Sequence, residues 1–366
     1  QDLFLRWFPQ FSRIQIDAPE REPLRGRATP LWEPARQGAA VMFSGGVDSF
    51  HSAVALEGQI QTAIYIHGFD TKLEDLRYRS TISRELQAAC SELGLDLIEV
   101  ETNLRDISDE HCPWFQYHGG MLSAVCHLLA DRFERVFIPS SYTYDQLHDC
   151  GSHPLIDPHW GSGDLTFAHH SAGTSRVEKV AEIIGSKAAR KHLRVCWENV
   201  DEAYNCGACE KCMRTFFTLR IVGAEAEFGH LFAHHPEVSE IIPHLCTDAE
   251  GPLLFFEELV AGARQRSEDK AFVDQLEEAL LAVRCYHLGK RIARLSGAGA
   301  GDYFASPQWQ GHMLPKVRNR LFQDLTRDPD WFVQHAGAER DEWFKLLWAH
   351  DRKWLRNSVM KREGRR

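Results

Sequence analysis

The chain has 366 residues, of which 43% are hydrophobic and 26% charged, and this ordinary globular composition allows two domains or one elaborated domain. Its net charge of −10 argues against a broad nucleic-acid-binding face, and no apolar run is long enough to span a membrane. The first residues lack the basic and then apolar segments of a secretory signal, so a cytoplasmic location is expected.

The first half of the chain alternates strand patterns with helix patterns. Residues 1–38 are rich in proline and arginine and are interpreted as an extended N-terminal extension. Apolar strands are predicted after it, over residues 39–44, 63–68, 96–103 and 135–141. The clearest helix is 77–93, whose apolar residues share one face and which Gly94 is placed to end. This alternation predicts an α/β fold with a doubly wound parallel sheet and ligands at the carboxyl ends of its strands.

The second half carries helix patterns without strands. They cover residues 213–224, 253–265, 272–295 and 341–357. The predicted organisation is an N-terminal extension (1–38), a sheet domain (39–195), a cysteine-bearing knuckle (196–220) and a helical C-terminal extension (221–366). The helical extension is a candidate surface for a protein partner.

A short polar segment follows the first predicted strand and precedes a helix. Two glycines let the backbone approach an anion closely, the helix start supplies amides, and two serines add hydroxyl donors. The segment does not match the lysine-containing loop of ordinary nucleoside triphosphatases. Asp48 is unusual beside phosphate, and either orients the loop amides or faces a bound Mg²⁺. The predicted phosphate-binding residues are Ser44, Gly45, Gly46, Val47, Asp48 and Ser49.

Four of the ten cysteines are close together in the sequence: Cys196, Cys206, Cys209 and Cys212. In a chain without a secretion signal, such a cluster indicates metal or redox chemistry before structural disulfides. Four thiolates with a glycine bend suit a closed, tetrahedral zinc knuckle with a structural role. An iron–sulfur cluster and four unligated thiols are the alternatives.

The loop resembles a known family motif. Its hexapeptide SGGVDS is similar to the PP-loop of ATP pyrophosphatases, which cleave ATP between the α and β phosphates. Together with the later pattern C-x₉-C-G-x-C-x₂-C, it makes the chain resemble one branch, 7-cyano-7-deazaguanine synthase and its relatives. The resemblance implies an adenine-nucleotide α-hydrolase-like fold, ATP and Mg²⁺ as cofactors, and adenylation of a carboxylate followed by attack of an amine.

The same resemblance implies roles for individual residues. Arg176 stands where the family has a phosphate-contacting lysine. The alternative interpretation is that Arg176 is a surface residue in the first turn of a helix. The expected catalytic residues are then Asp48, Ser49 and Arg176. The segment 136–157 looks like the family stretch that follows the fourth strand, and its candidate substrate contacts are Tyr144, Asp145, Ser152 and His153.

The chain departs from the synthases in the loops that choose the substrate, as in IHGFDTKLED after the second strand and Cys150-Gly-Ser-His-Pro154. A divergent relative is therefore inferred, with the activation chemistry retained and the substrate or acceptor changed. Such relatives occur in bacterial defence and modification gene clusters. The expected partners are a 7-deazaguanine or similar heterocyclic acid and ammonia or a protein amino group. Dimers are common among such synthases, and the oligomeric state is left open.

Two other functions remain at this stage. One is thiolation by the same adenylation, with a catalytic cysteine such as Cys150. The other is a non-catalytic nucleotide-binding scaffold. No Ser-His-Asp order or glutamate pair indicates a hydrolase. His169 and His170 are candidates to line the pocket, and the remaining histidines are interpreted as surface or helix-end residues.

Overall fold

The computed structural model describes residues 2–13, 38–198, 203–247 and 251–296. Most of the predicted N-terminal extension and the helix expected over 341–357 lie outside the described residues. The helices with described bounds are α1 (Asp2–Trp7), α2 (Val47–Ala55), α3 (Leu76–Leu93), α4 (Leu104–Ser108), α5 (Trp114–His127), α6 (Arg176–Ile183), α7 (Lys187–His192), α8 (Glu210–Ile221), α9 (Glu225–Phe228), α10 (Ile242–Leu245), α11 (Gly251–Arg266) and α12 (Lys270–Ser296).

Five parallel strands form one sheet within the described residues, and helices flank it. The strands are β1 (Ala39–Met42), β2 (Thr62–His67), β3 (Asp96–Glu101), β4 (Arg135–Pro139) and β5 (Thr166–His170), in the spatial order β3-β2-β1-β4-β5. All four predicted strands are confirmed, each shorter at its carboxyl end, and β5 is an addition. The α/β class with a parallel sheet is thus confirmed.

The strand order makes β1 the central strand. Val41 pairs with Ala63 of β2 on one side and with Phe137 of β4 on the other. Every residue of β1 is buried, as expected for a parallel strand covered on both faces. The chain leaves β1 toward β2 and returns on the other side as β4, so the crevice beside β1 is the position where such sheets bind ligands.

Helix α3 shows how closely local sequence sets an element. Asp75 begins it by accepting a hydrogen bond from the Tyr78 amide at 3.1 Å. Gly94 ends it in the left-handed conformation, with φ of 69°. Its buried stripe includes Ile82 and Leu86, which are fully buried. The predicted helix at 77–93 is therefore confirmed with one more residue at its start.

The chain divides into two compact units. The first holds the described residues up to Pro236 together with Ala261–Ser267, and so includes the sheet, the loop and the cysteines. The second holds Glu237–Val260 and the described residues from Glu268 onward, and there α12 confirms the predicted helix at 272–295. None of the described helices combines the length and the apolar character needed to cross a membrane.

Candidate functional site

The predicted phosphate loop lies at the carboxyl end of β1, where it leads into α2. Gly45 has φ of +76°, a conformation that favours glycine, and a Cβ on it would approach Leu86 Cδ2 to 2.9 Å, so the Leu86 side chain would have to shift. Gly46 precedes α2 in extended conformation without a side-chain cap, which leaves the amides of the first turn facing the loop. Val47 is buried and anchors the helix start. These residues form a cradle of main-chain donors.

The two serines of the loop differ in their surroundings. Ser49 is buried, and its hydroxyl donates to the Gly46 carbonyl at 3.0 Å. That bond braces the first turn of α2, so Ser49 supports the loop through the backbone. Ser44 is half-buried, and its Oγ lies 3.3 Å from where a Cβ on Gly46 would stand.

Asp48 is held by two cations from α6. Its Oδ2 accepts from Arg176 Nη2 at 2.9 Å, and its Oδ1 accepts from Lys179 Nζ at 3.1 Å. Burial alone would raise the pKa of Asp48, but the charges of Arg176 and Lys179 outweigh burial and hold the pKa well below its ordinary range. One carboxylate with two cations leaves a net positive charge beside the loop. Asp48 therefore positions the cations that an anion would meet.

Lys179 is a site residue that the sequence interpretation missed. Its side chain is 2% exposed, and Nζ also donates to the Ser140 carbonyl at 2.6 Å, just beyond β4. A signal was present, because residues three apart on a helix share a face and Lys179 follows Arg176 by three. Ser175 caps α6 by a reciprocal pair of hydrogen bonds with Glu178, which fixes where that face begins.

The backbone between α7 and the cysteines is bonded directly to the loop. The Arg194 amide donates to the Gly45 carbonyl at 2.8 Å. Asn205 is buried and holds this segment by accepting from the amides of Val195 at 2.7 Å and Cys196 at 3.2 Å. Arg194, whose amide is bonded to the loop, is thus only two residues before Cys196.

The four predicted metal ligands lie together. The sulfur atoms of Cys196, Cys206, Cys209 and Cys212 lie within 4.8 Å of one another, and all four residues are buried. Gly207, with φ of +74°, makes the bend, and a Cβ there would lie 1.9 Å from the His234 carbonyl oxygen. The four cysteines are close enough to bind one metal ion, as in a closed thiolate site.

The thiol chemistry also fits a site for a metal cation. The neighbouring Cys196 and Cys209 raise the pKa of Cys212 far above the usual thiol range, and Cys196 raises that of Cys209 to about 12. Four thiols this close cannot ionise together unless a positive charge is added, and a bound metal ion would supply that charge.

The predicted substrate contacts fall into two groups. Tyr144 and Asp145 form part of a 3₁₀ turn, and the Tyr144 side chain is largely exposed. Ser152 and His153 instead surround the buried Asp157, whose Oδ2 accepts from Ser152 Oγ at 2.7 Å and whose Oδ1 accepts from the His153 amide at 3.2 Å. The two groups belong to different hydrogen-bond networks.

The two consecutive histidines of β5 point to opposite faces of the sheet. His169 Nδ1 lies 2.7 Å from Asp157 Oδ2, whereas His170 Nδ1 lies 2.9 Å from Ser52 Oγ on α2. Burial lowers the pKa of His170, and nearby His51 and Lys179 lower it further. Burial, His51 and Lys179 thus all favour the neutral form of His170.

No family model, curated protein or solved structure matches the chain.

Proposed function

We propose that the chain binds Mg²⁺-ATP at Ser44–Ser49 and adenylates a carboxylic acid, which ammonia or an amine then converts to an amide. With ammonia, adenylation of the amide oxygen by a second ATP and departure of AMP would give a nitrile. The observation that carries this proposal is the loop at the end of the central strand with Asp48, Arg176 and Lys179 beside it. Main-chain donors and a helix N-terminus suit the β and γ phosphates, and two adjacent cations suit the charge that develops as pyrophosphate leaves.

The role of the protein in this reaction is positioning and charge stabilisation. The carboxylate oxygen of the substrate attacks the α phosphorus, the bond to the β-phosphate oxygen breaks, and pyrophosphate leaves with the electron pair. The amine then attacks the acyl carbon and AMP leaves. The proposed acid is a 7-deazaguanine or similar heterocycle, on the sequence resemblance alone, and the amine is ammonia or a protein amino group.

An amine acceptor is favoured over sulfur because the pKa of every thiol that the structure describes outside the cluster is raised. Burial raises the pKa of Cys126, Cys90 and Cys246 to about 12, and burial also raises the pKa of Cys150. A sulfur-transfer nucleophile needs a lowered pKa, since the thiolate reacts. We further propose Zn²⁺ as the ion held by the four cysteines, in a structural role.

The test is exchange of labelled pyrophosphate into ATP with a panel of heterocyclic acids that includes 7-carboxy-7-deazaguanine. Exchange and AMP release are expected with at least one acid, and Arg176→Gln is expected to lower the exchange rate about 10²- to 10³-fold. Arg84→Gln removes an exposed guanidinium on α3, 68% exposed, and serves as the control with an unchanged rate. ATP binding without exchange for any acid would favour the scaffold alternative.

Gly45→Ala tests the loop geometry separately from the chemistry. The new Cβ meets Leu86 at 2.9 Å and the backbone stays at positive φ, so we expect a loss of about 2 kcal/mol in stability and at least about tenfold weaker ATP binding. Gly58→Ala is the matched control, because Gly58 has φ of +77° with nothing within 4 Å of the added carbon. It should lose about 1 kcal/mol and bind ATP normally. Urea unfolding and calorimetric titration measure both quantities, and equal ATP affinities in the two variants would contradict the loop assignment.

A further inference from the structure

His51 is joined by two hydrogen bonds to Ser171 and Glu182, which lie 120 and 131 positions later in the sequence, and the three residues form a hydrogen-bonded relay. Ser171 Oγ lies 3.0 Å from His51 Nδ1, and His51 Nε2 lies 2.8 Å from Glu182 Oε2. His51 is buried on α2, Ser171 directly follows β5, and Glu182 lies on α6. The order along the chain is His, Ser, Glu, which is why no hydrolase pattern was visible in the sequence.

The donors and acceptors of the relay follow from its carboxylate. An ionised Glu182 can only accept, so His51 Nε2 carries the proton and donates to it. His51 Nδ1 then presents its lone pair, and the Ser171 hydroxyl donates to it. This is the protonation state in which a histidine acts as general base toward a serine nucleophile and an acid group orients the ring.

Ser171 is also held in a conformation that side chains rarely adopt. Its φ is 71°, and among the residues that the structure describes it is the one non-glycine residue with a positive φ. The backbone is bonded on both sides: the Ser140 amide donates to the His170 carbonyl at 2.8 Å, and the Tyr144 amide donates to the Ala172 carbonyl at 2.8 Å. Such strain persists where surrounding bonds impose it, and it is concentrated at functional sites.

We propose that Ser171 is an activated nucleophile that accepts an acyl group, with His51 as its general base and Glu182 as the group that orients His51. Ser171 Oγ forms a bond to the acyl carbon while its proton passes to His51 Nδ1. The bond from the acyl carbon to the leaving oxygen breaks, and the leaving group departs with the electron pair. The proton on His51 passes to an alkoxide leaving group or, when the leaving group is AMP, to solvent. Water or an amine then attacks the acyl carbon and gives a proton to His51. His51 passes that proton to Ser171 Oγ as the bond between Ser171 and the acyl carbon breaks.

Two sources of the acyl group share this chemistry, an ester and an acyl adenylate. Ser171 lies five residues before Arg176, and His51 lies two residues after Ser49, so two members of the relay are close in sequence to residues of the proposed adenylation site. The relay consists of three side chains of the chain itself, so this proposal is separate from the proposed adenylation and is tested without it.

The first experiment labels the full chain with a fluorophosphonate probe in the absence of ATP and locates the label by mass spectrometry. Labelling of Ser171 is expected in the wild type and in the control Ser80→Ala, which removes an exposed hydroxyl on α3. His51→Gln should slow labelling about 10²- to 10⁴-fold. Glu182→Gln should slow it about tenfold, because Glu182 is 56% exposed and its charge is partly screened.

Ser171→Gly separates reactivity from folding. Glycine adopts a positive φ without strain, so this variant should melt at the same temperature as the wild type or higher while it loses the label. An unlabelled wild type, a label that stays after Ser171→Gly, or a labelling rate unchanged by His51→Gln would each overturn the proposal.

The second experiment identifies the source of the acyl group, again without ATP. The chain is treated with p-nitrophenyl acetate or with acetyl adenylate, and acetylation of Ser171 is measured. Acetylation by the adenylate alone would mean that Ser171 accepts the acyl group from the acyl adenylate formed at Ser44–Ser49. Acetylation by the ester would mean that Ser171 has a separate esterase activity. A fluorophosphonate-reactive Ser171 that neither reagent acetylates would overturn the acyl-acceptor role.

Discussion

Asp48→Asn is expected to lower the free energy of unfolding by about 3 kcal/mol, because it leaves the buried Lys179 ammonium without its carboxylate. The same change should lower pyrophosphate exchange by at least about 10²-fold, since Arg176 loses the partner that aims it at the loop. Stability is measured by urea unfolding, and exchange is measured on the folded fraction.

A second substitution tells the two effects apart. Adding Lys179→Met to Asp48→Asn removes the unpaired buried charge, so at least half of the lost stability should return. Exchange should not return, because Arg176 still lacks the carboxylate that orients it and one of the two cations beside the loop is gone. Recovery of exchange together with stability would show that Asp48 acts only on folding.

The control for charge removal is Glu227→Gln. Glu227 pairs with Arg190 at 3.3 Å, and their side chains are 56% and 38% exposed, so its removal should cost less than about 1 kcal/mol. A loss as large as that of Asp48→Asn would mean that burial does not explain the Asp48 effect.

The parts of the fold that sequence predicts are those set by local pattern. The strands around Val41 and Phe137 are apolar runs bounded by turns, and α3 carries its own cap, stripe and stop at Gly94. β5 was missed because its five residues end in two histidines, and each histidine is satisfied by a different distant partner, His169 by Asp157 and His170 by Ser52. A strand whose polar residues are paired in this way has no periodic signal.

The site divides in the same manner. The loop and the cysteine cluster are contiguous in sequence, so residue type and spacing suffice to predict them. Lys179 reaches Asp48 across 131 positions of sequence, and Ser171 reaches His51 across 120. Such contacts depend on how α2, α6 and β5 are placed by the sheet, which no local pattern encodes.

Cys209→Ser is expected to abolish stoichiometric metal binding and to destabilise the first compact unit by on the order of 4 kcal/mol. Cys209 is 1% exposed and its sulfur belongs to a cluster in which all four atoms lie within 4.8 Å of one another, so a hydroxyl there weakens the whole site. Metal binding to such a site contributes directly to folding, because the unfolded chain holds no preformed ligand set.

Metal content by mass spectrometry and thermal unfolding test this expectation, with Cys112→Ser as control. Cys112 is only partly buried and lies outside the cluster, so its variant should keep both the metal and the melting temperature. Zinc in the wild type would support a structural thiolate site. Iron together with a visible absorption band would instead indicate that the four cysteines hold an iron–sulfur cluster. An unchanged metal content and melting temperature in Cys209→Ser would rule out a metal role for the cluster.

Removal of the metal should also weaken ATP binding at the loop Ser44–Ser49. Cys196 is two residues from Arg194, whose amide bonds the Gly45 carbonyl, and Asn205 ties the intervening backbone to the cluster. When the sulfur atoms separate, this segment loses its anchor, and the positive φ at Gly45 is no longer enforced from that side. Chelation at a temperature where the chain stays folded should therefore weaken ATP binding several-fold before it unfolds the protein. If ATP affinity falls only together with the folded fraction, the cluster stabilises the fold without shaping the loop, and the bond from Arg194 to Gly45 carries no coupling.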